Sequence, residues 1–99
     1  MFNSIKRDLK RRKLHMRYES QRLLYKALLG DSSLDPLLRF MVTQKLNKLP
    51  RSSSKVRIKN RCHLTGRSGS VYRFCRLSRI KFRELANKGE IQGCIKSSW

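Results

Sequence analysis

The chain has 99 residues and carries 25 Lys+Arg against 6 Asp+Glu, a formal net charge of +19. That length allows one compact domain with an extension, and self-repulsion at this charge works against compaction. No run approaches the roughly 18 apolar residues that cross a bilayer, and no apolar stretch follows the basic N-terminus as a secretory signal requires. Cys62, Cys75 and Cys94 are odd in number and irregularly spaced, which argues against a disulfide framework and suits a reducing compartment. The carboxylates Asp8, Glu19, Asp31, Asp35, Glu84 and Glu90 are scattered, and His15 and His63 lack an evident acidic partner. No catalytic residue is therefore expected, because acid–base work needs paired, tuned groups. Leu, Ile, Val and Phe still total 26 residues, above the roughly 20% floor of disordered chains. The expectation is a chain with helices and a small core that is completed by a polyanion.

Eleven of the 14 leucines lie in residues 1–49, whereas four of five glycines and all three cysteines follow residue 50. The first half reads as helical and the second as irregular. A helix is predicted from Ser4, a candidate N-cap, to Leu29, with Gly30 as a left-handed C-terminal stop. Its front end is crowded by Lys6, Arg7, Lys10, Arg11, Arg12, Lys13 and Arg17, so the first turns have little apolar face and are expected to leave the protein body. Asp35-Pro36 starts a second helix, with an N-cap acid and a proline whose missing N–H costs nothing there. Leu38, Val42, Leu46 and Leu49, with Leu37 and Met41 alongside, form a stripe ending at Pro50. This stripe is expected to pack on Leu23, Leu24 and Leu28 as an antiparallel helical hairpin joined by the 30–34 turn.

After the polar linker 51–54, Lys55-Val56-Arg57-Ile58-Lys59-Asn60-Arg61 alternates basic and apolar residues as an extended strand would. Cations at alternate strand positions, about 6.6–6.8 Å apart, come close to the pitch of phosphates along a nucleic-acid strand. A charged edge strand protected against aggregation is the other reading. Thr65-Gly66-Arg67-Ser68-Gly69-Ser70 is turn chemistry. Val71–Leu77 interleaves aromatics with arginines, and Ser78 caps a helix running through Lys88 to a stop at Gly89. On it Ile80, Leu85 and Ala86, with Phe82 nearby, face inward, while Arg79, Arg83 and Lys88 face outward. Phe74 and Phe82 are assigned to the core; Trp99 is open between core and exposed stacking roles.

Asn60-Arg61-Cys62, Thr65-Gly66-Arg67, Tyr72-Arg73, Leu77-Ser78-Arg79-Ile80, Phe82-Arg83-Glu84-Leu85-Ala86, Gly89 and Lys96-Ser97-Ser98-Trp99 follow one another in order. This set resembles the family of ribosomal small-subunit protein fourteen, densely over 50–99 and in helical character before that. The resemblance implies a mainly α protein: a basic N-terminal helical hairpin extension over 1–50, then a small, irregular, zinc-ribbon-like RNA-binding module over 51–99 with one short helix. The family has a zinc form and a longer zinc-free form. A ribbon of this kind needs four converging soft ligands, and here the four positions are Cys62, Thr65, Ser78 and Lys81. With one thiol among four, the chain resembles the zinc-free form, and no metal or other cofactor is expected. The three cysteines then read as small, buried or half-buried apolar groups.

The implied role is structural: a component of the small ribosomal subunit, in its head, that binds ribosomal RNA, supports assembly and translation, and adjoins other head proteins. The expected RNA-binding residues are Lys10, Arg11, Arg12, Lys13 and Arg17 in the first helix, then Lys55, Arg57, Lys59, Arg61, Arg67, Arg73, Arg76, Arg79, Lys81 and Arg83, and finally Lys96, Ser97, Ser98 and Trp99. Guanidinium groups fork onto phosphate or stack on bases, ammonium groups act as point charges, and Tyr72, Phe74 and Trp99 stack where exposed. Ser68 and Gly69 stand where the family usually has a proline and a basic residue, and Gln92 where it usually has proline, a drift that suggests an organelle. The expected location is the mitochondrial ribosome, with synthesis inside the organelle and an uncleaved N-terminus; a plastid or bacterial cytoplasm is the alternative. A small basic DNA-compacting protein is the alternative function, resting on charge alone.

Overall fold

In the computed structural model, which describes Phe2–Trp99, the chain is mainly helical. It holds helix α1 (Phe2–Gly30), helix α2 (Pro36–Lys48), two 3₁₀ turns at Arg51–Ser53 and Lys55–Arg57, and helix α3 (Arg79–Asn87). Among the described residues no strand forms; Val71 and Ser78 make one isolated antiparallel bridge. Lys6–Ile58 form one compact unit, and the first turn of α1 through Ile5 joins Lys59–Trp99 in a second.

In the first unit, α1 is straight-chain-rich and free of proline, so nothing interrupts it between Phe2 and Gly30. Ser4 is therefore inside the helix rather than its cap. Gly30 is the last helical residue and keeps a negative φ, so it is not a left-handed stop. The turn after it is closed by Asp31, whose Oδ1 accepts from Ser33 N at 3.0 Å and Ser33 Oγ at 2.7 Å, while Arg39 Nη2 donates to Asp31 O at 2.6 Å. Pro36 then opens α2 with Asp35 at the N-cap position as the sequence predicts, although the Asp35 side chain makes no capping hydrogen bond, and Leu49 N returns to Leu46 O to close the helix.

The sheltered side of α1 is not the expected one. Leu23 and Leu24 are exposed, at 70% and 57%, and Leu37, Leu38, Phe40 and Met41 of α2 are exposed as well. Half-buried positions on α1 are instead Arg11, Leu14, His15, Tyr18, Arg22, Tyr25 and Leu29, a stripe with a period near 3.5 residues. The reason is the chain that follows α2, which exposes backbone carbonyls and so needs donors along α1. Arg22 Nε donates to Ser53 Oγ at 2.7 Å and its Nη2 to Pro50 O at 3.1 Å; His15 Nδ1 donates to Ser53 O at 3.3 Å; Arg11 Nη1 donates to Arg57 O at 3.3 Å. Partners advance from 50 to 57 as α1 residues descend from 22 to 11, so segment 50–57 runs antiparallel to the helix. The basic front of α1 is thus held by its own unit, not extended away from it, and Asp8 is buried there with Arg12 Nε at 2.8 Å.

The predicted strand over 55–61 is also absent. Ser53 N and Ile58 N turn back to Pro50 O and Lys55 O, making 3₁₀ turns that leave Val56 exposed and break the two-residue alternation. Ser53, fully buried, donates its hydroxyl to Pro50 O, so this serine ties the segment to α1 and to itself.

Replacing Arg22 by Met keeps the aliphatic stem but removes the donor to the buried Ser53 hydroxyl oxygen and one of the three donors to the Pro50 carbonyl. An unsatisfied buried polar group costs about 1–3 kcal/mol. Thermal unfolding of the purified chain, followed by circular dichroism, should show a clearly lower Tm for Arg22→Met; an unchanged Tm would mean the latch contributes nothing.

Candidate RNA-binding surface

The second unit is built around Cys62, the one buried hydrophobic side chain among the described residues. Cys62 N donates to Arg67 O at 2.9 Å and Gly66 N returns to Cys62 O at 2.9 Å, folding 62–67 into a tight loop. Gly66 sits at φ +70, a conformation that a Cβ would strain. His63 N reaches Arg76 O, and Tyr72 N reaches Leu77 O, so a second loop over 72–77 lies against the first. Arg61 Nη1 donates to Gly66 O at 2.9 Å and to Ser4 Oγ at 3.4 Å, tying the loop to the first turn of α1.

Thr65, Ser78 and Lys81 all lie close enough to the Cys62 sulfur to act on it. Burial pushes the Cys62 thiol pKa up, but the Thr65 hydroxyl and the backbone N–H groups of Ser78, Thr65 and Leu64 all act on the sulfur and win. The pKa falls from the ordinary 9.0 to about 6. Thr65 Oγ1 is buried and acts on the sulfur without a hydrogen bond of good geometry to any atom. Lys81 Nζ lies 2.6 Å from Glu84 Oε2; that bond first, then the Glu84 charge, and also the Cys62 sulfur, hold its pKa above the ordinary 10.5. This donor set does not suit zinc. One sulfur is joined by two hydroxyls and an ammonium, and a cation at the fourth position repels a metal rather than ligating it. No group of three or more His, Cys, Asp or Glu side chains placed to hold a metal occurs among the described residues.

Ser78, 2% exposed, also starts α3, its Oγ accepting from Lys81 N. The helix ends as predicted: Gly89, at φ +74, returns its N–H to Ala86 O, and Glu90 N reaches Leu85 O, the paired bonds of a glycine-terminated helix. Phe82, Leu85 and Ala86 are half-buried, with Lys81 beside them; Arg79, Arg83 and Lys88 face outward, and Ile80 is exposed rather than inward. Phe74 is 73% exposed, not a core residue. It joins Tyr72 and Phe82 in a three-ring cluster with centroids 5.1–5.7 Å apart. Trp99 is fully exposed, which removes the core reading.

The expected RNA-binding residues thus divide by environment. Lys59, Arg67, Arg73, Arg76, Arg79, Arg83, Lys96, Ser97, Ser98 and Trp99 are exposed in the second unit. Lys10, Lys13, Arg17 and Lys55 are exposed in the first, with Arg17 5.7 Å over the Tyr18 ring. Arg12 is exposed but paired with Asp8, and Lys81 is paired with Glu84. Arg11, Arg57 and Arg61 are half-buried; Arg11 and Arg61 spend donors on backbone carbonyls of the fold. Sequence reasoning missed Arg22 and His15 as structural groups because their partners lie 28 to 38 residues away; it also missed Asp8, although its partner Arg12 is only four residues on along the same helix.

Exposed cations in the same unit as an exposed aromatic cluster mark a small, strongly basic protein. Comparison with known proteins narrows that class. The family described as Ribosomal protein S14p/S29e matches residues 45–98. "Small ribosomal subunit protein uS14m" of Prototheca wickerhamii is 75% identical over 99 residues, covering 100% of both chains. The protein of the same name from Marchantia polymorpha is 52% identical over 99 residues, again 100% of both. "Small ribosomal subunit protein uS14" of Rhodospirillum rubrum is 47% identical over 97 residues, 98% of this chain and 96% of that one. The chain belongs to the ribosomal protein S14p/S29e family, a family of structural proteins and not of enzymes.

Because the Cys62 pKa is depressed in the folded chain, the unfolded chain binds more protons between about pH 6 and 9. Its stabilising contribution is complete above about pH 9 and is lost as pH falls toward 6. Denaturation midpoints measured across this window should rise with pH for the native sequence and stay flat for Cys62→Ala. A metal chelator should leave both unchanged.

Proposed function

We propose that this chain is a structural constituent of the small subunit of the mitochondrial ribosome, held in the subunit head by ribosomal RNA and there supporting assembly and translation. The observation that carries this reading is full-length identity of 75% and 52% to proteins named for that role. The charge supports it: 13 of the 25 Lys+Arg lie in residues 51–99, and nine lie in residues 1–29. Relatives of bacterial origin leave a bacterial ribosome as the alternative location. Nothing in the matched family supports the DNA-compacting alternative.

RNA in such a particle presents phosphates, irregular grooves and unstacked bases rather than a readable helix. We assign the primary contacts to Lys59, Arg67, Arg73, Arg76, Arg79, Arg83 and the tail Lys96–Trp99 in a C-terminal module over 51–99, with Lys10, Lys13, Arg17 and Lys55 contributing from the extension over 1–50 and the linker. Arg57, Arg61 and Lys81 serve the frame first. That frame reads as a zinc ribbon in which a hydrogen-bonded Cys62 sulfur occupies the place of a metal centre. The exposed leucines of α2 carry few cations beside them, with three Lys+Arg in residues 30–50; that face suits a neighbouring head protein better than RNA.

Crosslinking within the native particle, followed by identification of attached nucleotides and proteins, tests the reading. Small subunits lacking this chain would end it. In competition at fixed salt, a ribosomal RNA fragment should outcompete duplex DNA. Arg67→Gln with Arg73→Gln should lower the slope of log K against log[salt] by about 0.7–0.9 for each phosphate contact removed. Arg61→Gln should instead lower Tm with a smaller change in slope.

A further inference from the structure

Beside the three-ring cluster, Tyr72, Phe82, Arg79, Arg83 and Ala86 line an open groove of about 490 Å³, a size that accommodates a small organic ligand. From its geometry we infer that this groove receives one unpaired ribonucleotide, whose base stacks against the Tyr72–Phe82 wall and whose phosphate lies on Arg79 and Arg83. The inference rests on the ribosomal reading above and gives it a specific subsite.

Three features select this occupant. First, the rings hold one another. Tyr72 and Phe82 meet edge-to-face with centroids 5.1 Å apart and an interplanar angle of 69°, and Phe74 meets Phe82 at 5.6 Å and 84°. Such contacts stabilise aromatic pairs and restrict their rotamers, so Tyr72, still 43% exposed, is a preorganised platform that loses little freedom when a base arrives. Second, the two arginines are four residues apart on α3, so they share one face and converge on the same side of the groove. Guanidinium groups fork onto phosphate and also stack on bases. Third, the acid on this helix does not oppose them: Glu84 is engaged by Lys81 at 2.6 Å. An apolar wall beside two adjacent cations complements a nucleotide, flat and apolar on the base and negative on the phosphate. It does not complement paired RNA, whose bases are stacked within the helix.

The test uses small subunits reconstituted with the full chain, probed with dimethyl sulfate and a 2′-hydroxyl acylating reagent. With the native sequence, one unpaired nucleotide of the ribosomal RNA should be protected. Tyr72→Ala and, separately, Arg83→Gln should expose that nucleotide about tenfold, the scale of one lost base stack, while the chain's other protections persist. Tyr72→Phe should keep it protected, because a ring suffices. Arg83→Gln alters an exposed position and guards against mistaking misfolding of Tyr72→Ala for loss of the site. If both variants incorporate normally and no single nucleotide changes reactivity, the groove holds no base. If ultraviolet crosslinking joins Tyr72 to a protein instead, the occupant is a protein and the inference is overturned. Failure of the native chain to enter small subunits would instead reject the ribosomal reading itself.

Discussion

The constraint on which everything else depends is the excess of positive charge over apolar material. With 25 cations in 99 residues, the chain has to hold each unit together while its side chains repel one another. A hydrophobic core does little of that work: among the described residues Cys62 is the one buried apolar side chain, whereas Asp8, Ser53 and Ser78 are buried polar groups. The fold is therefore organised around polar knots. Arg11, Arg22, Arg39 and Arg61 each donate to a backbone carbonyl. Charges that would oppose folding are partly turned into struts, because a guanidinium satisfies carbonyls that loops leave unpaired.

The Cys62 knot shows the same economy. A metal ribbon concentrates four anionic or soft ligands on a cation. Here the polarity is reversed: one sulfur is the centre, and backbone N–H groups, a hydroxyl and the field of Lys81 surround it. Two loops and the start of α3 converge on this residue: Cys62 N bonds Arg67 O, His63 N bonds Arg76 O, and Ser78 N acts on the sulfur. The frame beneath the exposed arginines is held more by hydrogen bonds than by packing volume.

What could be read from sequence follows directly from this economy. The start of α2 at Asp35-Pro36, the Ser78 cap and the Gly89 stop were legible, since each is set by residues within one helical turn. The role of Thr65, Ser78 and Lys81 around the Cys62 sulfur was not legible, as no spacing rule joins a thiol to hydroxyls and an ammonium. The sheltered face of α1 was not legible. Hydrophobic periodicity points to Leu23, Leu24 and Leu28, but the face is chosen by Arg22 and His15 reaching Ser53, a polar criterion with long sequence separation. The alternation in 55–61 misled for a related reason: two 3₁₀ turns pair carbonyls locally and cancel the strand.

The exposed apolar groups take on meaning once the frame is understood in this way. A chain short of core material nevertheless leaves Leu23, Leu37, Phe40, Phe74 and Trp99 in solvent. If burying them within each unit were the lowest free energy, the stripe on α1 would have rotated to do so at about 1.5–3 kcal/mol per large side chain. Instead the polar latches hold α1 in the register that displays its leucines, and the edge-to-face rings hold Tyr72 and Phe74 outward beside arginines. Apolar surface is kept outside by hydrogen bonds within, so polar latches rather than apolar burial decide which side chains this chain displays.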